Sequence, residues 1–217
     1  PLIFYLMNDV INFILKILFI FIHLIIFNID TRKSNDNIQY MVDLNYKTVL
    51  VTGGAGFIGS NFIEYINQNF KNLTIINYDK MGVGSRSDVL TTDQIINDNE
   101  YVVEVNDLSR IEEVSHLKFI PIQYVFHFAA ESHFDRSINS PALLVDNNVM
   151  STTRLLDWVN THHPQSRVIC ISTDEVYGQL GLDEDPFTEQ SPLCPRSPYA
   201  ASKASSDLVA LSYHETY

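Results

Sequence analysis

Five short apolar runs divide the chain after residue 41, each bounded by polar or glycine-containing segments. They are KTVLVT (47–52), LTIINY (73–78), YVVEV (101–105), QYVFHF (123–128) and RVICIS (167–172). Short runs that are apolar at consecutive positions are typical of strands buried on both faces of a sheet. Because helix-like segments lie between them, the pattern predicts an α/β domain with a parallel sheet covered on both faces.

Two of the intervening segments carry helix signals. In FIGSNFIEYINQNF, the side chains of Ile58, Phe62 and Ile66 recur every four residues and define an apolar face,. Ser140 and Pro141 predict the start of another helix, with the serine as its cap and the proline in its first turn,. The alternation of strand and helix continues without an internal repeat, so residues 41–217 are predicted to form one domain.

Residues 1–40 differ from the rest of the chain in composition. The apolar segment 10–27 has about the minimum length of a membrane span and is interrupted by Asn12, Lys16 and His23,. One interpretation of this segment is a signal-anchor helix. The other is a leader that does not belong to the natural protein, which is suggested by the Pro at the start of the chain and by Met41 just before the first strand,. We expect a cytoplasmic protein, anchored to a membrane if residues 10–27 are a real span.

The charge and the cysteine content of the chain argue against several classes of function. The formal charge of -12, with 14 Lys+Arg against 26 Asp+Glu, argues against nucleic-acid binding, which requires clustered cations,. Cys170 and Cys194 are too few for a disulfide framework and fit a reducing compartment,. The neighbouring His162 and His163 are better explained as a solvated helix end than as a metal site, so no metal is predicted.

A glycine triplet follows the first apolar run. In VTGGAGFIGS, Gly53, Gly56 and Gly59 lie between a predicted strand and a predicted helix, the context in which such a loop holds a pyrophosphate against the helix N-terminus,. Asp79 follows Gly59 by about 20 residues at the end of the second strand, where a carboxylate accepts hydrogen bonds from a ribose 2′-hydroxyl,. The sequence therefore predicts a doubly wound Rossmann-type sheet that binds NAD in preference to NADP, a preference that Lys80 softens slightly.

A Tyr-x-x-x-Lys pair lies near the end of the chain. Tyr199 and Lys203, here called the Tyr-Lys pair, share one face of a helix, where an ammonium lowers the pKa of a phenol and makes it a usable base,. Together with the G-x-x-G-x-x-G spacing, this pair points to the short-chain dehydrogenase/reductase superfamily.

Two neighbouring carboxylates follow the fifth apolar run. Asp174 and Glu175, here called the acid pair, either belong to a turn closed by Gly178 or serve as an acid and a base placed side by side,. The residues alone leave both interpretations open.

With these motifs in view, residues 47–217 resemble the nucleotide-sugar 4,6-dehydratases, extended members of that superfamily. The matching segments are TGGAGFIGSN (52–61), YDK (78–80), FHFAAESHFDRSI (126–138), STDEVYG (172–178) and SPYAASKASSD (197–207). The third and fourth segments are the specific ones, because related epimerases and decarboxylases share the glycine loop and the Tyr-Lys pair but lack the Thr-Asp-Glu triplet as a set.

The resemblance implies a role for each residue of that triplet. Tyr199 takes the proton from the sugar's C4 hydroxyl while hydride moves to NAD, and Thr173 holds the C4 oxygen. Glu175 removes the C5 proton, Asp174 donates a proton to O6, and the hydride returns to C6. To act as an acid, Asp174 must be protonated, a form that a second carboxylate and partial burial both favour.

The resemblance also implies further contacts in the site. We expect substrate contacts at Ser132 and Thr173. The expected cofactor contacts, besides the Tyr-Lys pair, are Gly53, Gly56, Phe57, Ile58, Gly59, Asp79, Lys80, Asp107, Ala129 and Ala130.

The resemblance covers only part of such an enzyme. Residues 41–217 are expected to be a C-terminally truncated Rossmann domain that lacks the substrate domain and is inactive alone, so the choice between dTDP- and UDP-glucose stays open. Two alternatives remain: a nucleotide-sugar 4-epimerase or UDP-glucuronate decarboxylase, and a non-catalytic NAD-binding protein.

The resemblance further implies a homodimer of the complete protein. The expected interface combines the helical region 141–160 with the helix that carries Tyr199. Apolar surface for it is predicted at Leu155, Leu156, Trp158 and Leu208.

Overall fold

A five-stranded parallel sheet forms the centre of the domain. The computed structural model describes residues 42–132, 141–181 and 184–217. Its strands are β1 (Thr48–Thr52), β2 (Thr74–Asp79), β3 (Glu100–Val105), β4 (Tyr124–His127) and β5 (Arg167–Cys170), in the order β3-β2-β1-β4-β5. This order reverses direction at β1, which pairs with both β2 and β4. A crevice opens at such a reversal, beyond the carboxyl ends of the two central strands.

Helices connect the strands. They are α1 (Phe57–Asn69), α2 (Pro141–Val145), α3 (Ser151–His162) and α4 (Pro198–Thr216), with one turn of π-helix (Asp146–Met150) joining α2 to α3. Short 3₁₀ helices occupy Thr92–Gln94, Leu108–Glu113, Ser115–Phe119 and Asp174–Tyr177. Pro141 begins α2 as predicted, whereas its expected cap, Ser140, lies outside the described residues.

Both faces of the central strands are buried. Leu50 and Val125 contribute to a core cluster that includes Trp158 of α3. On α1, Phe62 packs against Phe126 of β4, with ring centroids 4.6 Å apart. Burial on two faces explains why these strands are apolar at consecutive positions, and it confirms the predicted doubly wound α/β architecture,.

Strand β3 departs from the predicted pattern. Its run was expected to be buried on both faces, yet Val102, Val103 and Val105 are exposed, the last with 61% of its surface accessible. The reason is position: β3 pairs with β2 and ends the sheet at that edge. An apolar run predicts a strand but not whether a second neighbour covers it. In α1, Ile58 is likewise partly exposed, whereas Phe62 and Ile66 are buried as predicted.

The predicted dimer surface is mostly wrong. Leu155, Leu156 and Trp158 lie in the interior, and Trp158 is fully buried. Leu155 and Trp158 belong to the apolar face with which α3 covers the sheet, and since all three residues are buried they are not available to a second chain,. Leu208 alone of the four is exposed as expected.

The apolar leader lies outside the described residues, as does its candidate span 10–27. Among the residues that the structure describes, no helix combines the length and the apolar character needed to cross a bilayer.

Candidate active site

The glycine loop, residues 52–59, lies at the carboxyl end of β1. Gly53 has a φ of +71°, and a Cβ there would lie 2.6 Å from the backbone nitrogen of Ala129. A Cβ on Gly59 would lie 2.3 Å from the carbonyl oxygen of Gly53. Both distances are too short for any side chain, so glycine is required at these two positions. The loop can therefore fold tightly against the chain that follows β4.

The N-terminus of α1 faces the loop. Gly56 is its cap residue, and no side chain accepts a hydrogen bond from the first turn. Phe57 and Ile58, two of the expected cofactor contacts, begin the helix, and the side chain of Phe57 is more exposed than that of Ile58. An uncapped helix start presents N–H groups and a partial positive charge, which suit a phosphate group.

Asp79 lies beside the loop at the end of β2. Its Oδ2 accepts a hydrogen bond from the Ala55 amide at 3.0 Å, and Oδ1 accepts from the Met81 amide at 2.8 Å. The side chain is buried, whereas Lys80 is exposed. These hydrogen bonds fix Asp79 at the rim of the loop, where the sequence predicts a contact with the ribose.

The remaining predicted cofactor positions follow the carboxyl ends of β3 and β4. Ala129 and Ala130 follow β4, and Ala129 touches the position of Gly53. Asp107 follows β3 and caps the next 3₁₀ helix by accepting a hydrogen bond from the Ser109 amide at 2.8 Å. Burial opposes ionisation of Asp107, but this hydrogen bond and the charges of Lys80 and Arg154 lower its pKa overall,.

Thr173 begins the 3₁₀ helix that carries the acid pair. Its Oγ1 accepts a long hydrogen bond of 3.4 Å from the Glu175 amide. The turn ends at Gly178, whose φ of +112° is one that glycine adopts freely,. The turn interpretation is therefore correct as local structure, and it presents the acid pair at the carboxyl end of β5. Asp174 is exposed rather than partly buried as expected, because the turn lies at the surface of the described chain.

The Tyr-Lys pair lies in the first turns of α4. Ser197 caps this helix by accepting a hydrogen bond from the Ala200 amide at 3.0 Å, and Pro198 occupies its first position. Lys203 is buried and its Nζ donates to the carbonyl oxygen of Ile171, just after β5. Burial lowers the pKa of Lys203, while the neighbouring Asp207 carboxylate acts in the opposite direction.

The environment of the Tyr199 phenol differs from the prediction. Burial, followed by the charges of Glu175, Asp174 and Asp207, raises the pKa of Tyr199 instead of lowering it,. The Lys203 ammonium donates to the Ile171 carbonyl and is therefore directed toward the end of β5. The hydrogen bonds from Lys203 to the Ile171 carbonyl and from Ser172 to the Asp207 carboxylate attach the residues just before the acid pair to the helix of Tyr199.

Ser132 is exposed and is the last described residue of its segment. The residues that follow it in the FHFAAESHFDRSI motif, from 133 to 138, lie outside the described part of the chain. No group of three or more His, Cys, Asp or Glu suited to a metal ion occurs among the residues that the structure describes.

A buried polar network lies behind the site, and no sequence motif indicates it. His127, at the end of β4, is hydrogen-bonded through Nδ1 to Thr52 Oγ1 at 2.7 Å and through Nε2 to Thr152 Oγ1 at 2.9 Å. Thr152 donates its own hydroxyl proton to the carbonyl of Asn148, so His127 donates from Nε2 and accepts at Nδ1,. A neutral imidazole therefore satisfies both partners.

Asn148 extends this network to the helix of the Tyr-Lys pair. Its side-chain amide donates to Ser202 Oγ at 2.9 Å, and its Oδ1 accepts from the Glu131 amide at 2.7 Å. Both Asn148 and Ser202 are buried. The strand that precedes the glycine loop and the helix of Tyr199 are thus joined through hydrogen bonds that no local motif reveals.

The buried histidine predicts a loss of stability at mildly acidic pH. Burial, with the charge of Lys203, lowers the pKa of His127 to about 3. As the pH falls below about 6.5, the unfolded chain binds a proton that the folded chain excludes, so the free energy of unfolding decreases. Between about pH 7 and about pH 5, this single group should cost about 2 kcal/mol, measured by urea unfolding.

The contribution of His127 is isolated by comparing variants. His127→Asn should be less stable at neutral pH but should show a smaller decrease between the same two pH values, whereas His116→Gln, at an exposed position, should behave like the parent protein. An equal pH dependence in the parent protein and His127→Asn would refute the role assigned to this histidine.

A glycine loop at the carboxyl end of β1, an aspartate at the end of β2 and a Tyr-Lys pair on the last helix define a Rossmann-type domain of the short-chain dehydrogenase/reductase class,. The sequence model of the GDP-mannose 4,6-dehydratase family matches residues 50–217. The chain belongs to that family.

Individual relatives agree with this assignment. The chain is 42% identical over 180 residues to the dTDP-glucose 4,6-dehydratase of Haemophilus influenzae, an alignment that covers 78% of this chain and 52% of the relative. The crystal structure of the dTDP-glucose 4,6-dehydratase of Bacillus anthracis in complex with NAD superposes with a TM-score of 0.66 at 39% identity, covering 79% of this chain and 51% of that one.

An epimerase shares the same fold. The UDP-glucose 4-epimerase of Thermus thermophilus, in complex with NAD, superposes with a TM-score of 0.68 at 29% identity, covering 78% of this chain and 51% of that one. The chain spans about half the length of the curated relatives it matches.

Proposed function

We propose that the protein containing this chain is a nucleotide-sugar 4,6-dehydratase that uses NAD and acts on a nucleotide-activated glucose, with dTDP-glucose as the first candidate. The observation that carries the proposal is the position of the acid pair, which directly follows the residues at the end of β5 that the helix of Tyr199 holds through Lys203 and Asp207. An oxidation at C4 requires the tyrosine, but only an elimination requires an additional acid and base. The names of the relatives in H. influenzae and B. anthracis support the same reaction.

Residues 41–217 supply the NAD-binding domain in this proposal. The glycine loop leaves no room for a Cβ at Gly53 or Gly59, and the uncapped start of α1 suits a pyrophosphate,. Asp79 is placed to accept hydrogen bonds from the adenosine ribose,. When bound there, NAD supplies a reversible hydride acceptor, so it is regenerated in each cycle.

Tyr199 is the base for the C4 hydroxyl in the proposed reaction. Burial and the three carboxylates keep its proton on the phenol, so the deprotonated form requires positive charge nearby,. Lys203, one helical turn away on the same face, is the cation that the chain itself provides,. Thr173 follows β5 and is placed to hold the C4 oxygen.

The acid pair divides the elimination between two carboxylates. Glu175 removes the proton at C5, which becomes acidic once C4 is a ketone, and Asp174 donates a proton to the departing O6. Glu175 then returns a proton to C5 when the hydride is delivered to C6. The two residues begin one 3₁₀ helix, so their relative positions are fixed by a single turn of backbone,.

Asp79 is expected to set cofactor preference. In the whole protein, NAD should bind more tightly than NADP, because the buried carboxylate repels a 2′-phosphate,. Asp79→Asn should reduce this preference about tenfold in a titration of both dinucleotides, whereas Asp93→Asn, on an exposed 3₁₀ helix, should leave it unchanged. Equal or tighter NADP binding by the unaltered protein would contradict the role of Asp79.

The reaction itself is tested with the purified whole protein, including any residues beyond Tyr217. Incubated with NAD and dTDP-glucose, it should form the 4-keto-6-deoxy sugar, detected by NMR, and UDP-glucose in parallel reports the nucleotide preference. Recovery of a 4-epimer would favour the epimerase that the T. thermophilus structure exemplifies. NAD binding without any conversion of the sugars would favour a non-catalytic protein.

A further inference from the structure

Helix α4 holds the chain that follows β5 at two successive residues. Lys203 Nζ donates to the backbone carbonyl of Ile171, and Ser172 Oγ donates to the Asp207 carboxylate. Lys203 and Asp207 are four residues apart, so they lie on the same face of α4 as Tyr199,. The side of the helix that carries the phenol therefore also holds the end of β5.

The acid pair follows directly after this attachment. Ser172 is succeeded by Thr173, the cap of the 3₁₀ helix, and then by Asp174 and Glu175. The acid pair is exposed, and the hydrogen bond from the Glu175 amide to Thr173 is long at 3.4 Å. After the acid pair the turn is held by the hydrogen bond from the Cys194 amide to the Val176 carbonyl at 2.9 Å. Before the acid pair it is held by the residues that follow β5, so the position of the pair relative to Tyr199 depends on their attachment to α4.

The Asp207 carboxylate is an unusual group for attaching α4 to the residues that follow β5. It is only partly accessible, and burial raises its pKa, while the hydrogen bond from Ser172 and the charge of Lys203 act in the opposite direction. A half-buried carboxylate needs such partners to remain ionised. If the helix needed only to be attached to the sheet, apolar contacts would serve without this cost.

We propose that Asp207 is a positioning residue that, through Ser172, holds the acid pair in place relative to Tyr199. The inference rests on the proposed function and extends it, because neither Asp207 nor Ser172 touches a reacting atom in the scheme above. The Ser172–Asp207 hydrogen bond fixes the distance between the residues of the elimination and the residue of the oxidation.

A second hydrogen bond on α4 provides a matched control. Tyr213 donates from its hydroxyl to the Asp157 carboxylate, which joins α4 to α3 by the same pairing of hydroxyl and carboxylate. Tyr213 lies in the last turns of α4, away from the acid pair. Tyr213→Phe therefore removes a comparable attachment without affecting the residues that follow β5.

The test compares Asp207→Ala, Ser172→Ala, their double variant, Asp207→Asn and Tyr213→Phe in the whole protein with NAD and dTDP-glucose. Asp207→Ala and Ser172→Ala should each lower kcat for product about 10- to 100-fold with little change in KM, the effect expected of misplaced groups. The double variant should resemble either single one, because both remove the same hydrogen bond. Asp207→Asn retains an acceptor and should recover part of the activity, and Tyr213→Phe should match the parent.

Hydrogen exchange of the same proteins separates this inference from the proposed function. Amides of residues 173–178 should exchange faster in Asp207→Ala and Ser172→Ala, with the glycine loop unchanged, but not in Tyr213→Phe. If the parent protein converts no sugar, the proposed function fails while the exchange result still decides the role of Asp207. Unchanged exchange at residues 173–178 in Asp207→Ala, or kcat losses that add in the double variant, would overturn the inference.

Discussion

Replacing Tyr199 by Phe is expected to stop the reaction before any hydride leaves the sugar. The substitution keeps the ring on the face of α4 and removes only the hydroxyl that takes the C4 proton. General-base catalysis of this kind contributes about 10²- to 10⁴-fold, so kcat should fall by a factor in that range. Mixing the variant with NAD and dTDP-glucose in a stopped-flow spectrometer should give no NADH absorbance.

The control for Tyr199→Phe is a tyrosine far from the crevice. Tyr46 is exposed and precedes β1, so Tyr46→Phe should leave both NADH formation and product formation unchanged. The dissociation constant for NAD should also stay within about twofold of the parent in Tyr199→Phe, because the pyrophosphate contacts lie on the glycine loop. Rapid NADH formation by Tyr199→Phe would show that another group removes the C4 proton.

Replacing Glu175 by Gln is expected to separate oxidation from elimination. Glutamine has nearly the same shape but cannot accept the C5 proton, whereas Tyr199 and the glycine loop remain intact. Loss of a general base should slow elimination about 10²- to 10⁴-fold. The variant should therefore accumulate NADH absorbance on mixing with dTDP-glucose while the 4-keto-6-deoxy product fails to form.

Glu113→Gln serves as the control for this variant. Glu113 is an exposed carboxylate paired with Arg110 on a surface 3₁₀ helix. Its replacement by glutamine therefore removes a charge at a position outside the crevice. That protein should form product at the parental rate and should accumulate no NADH. Product formation by Glu175→Gln at the parental rate would end the assignment of Glu175 as the base at C5.

Most of the fold follows from local sequence patterns. The five apolar runs became the five strands, because a strand buried on both faces must be apolar at consecutive positions,. The exposure of β3 could not be predicted, since the sequence does not state which strand ends the sheet. For the same reason the apolar face of α3, with Trp158, was assigned to a dimer when it covers the domain's own core.

Some residues of the candidate site could likewise be predicted from the sequence, and others could not. The glycine loop, Asp79 and the Tyr-Lys pair could be predicted from the sequence, because each is a short motif in a defined position along the chain. The contacts of His127 with Thr52 and of Asp207 with Ser172 join residues far apart in sequence, and no spacing predicts them. The predicted direction of the Tyr199 pKa was wrong because burial, followed by the charges of neighbouring carboxylates, raises it, and no local motif shows that the fold places the phenol in these surroundings.

The fate of the hydride tests the central claim most directly. The whole protein is given NAD and dTDP-glucose that carries deuterium at C4, and the product is examined by NMR. A 4,6-dehydratase must transfer that deuterium to C6 of the 4-keto-6-deoxy sugar, because the same cofactor removes and returns it. Deuterium recovered at C4 of a 4-epimer, with none at C6, would contradict the dehydratase assignment.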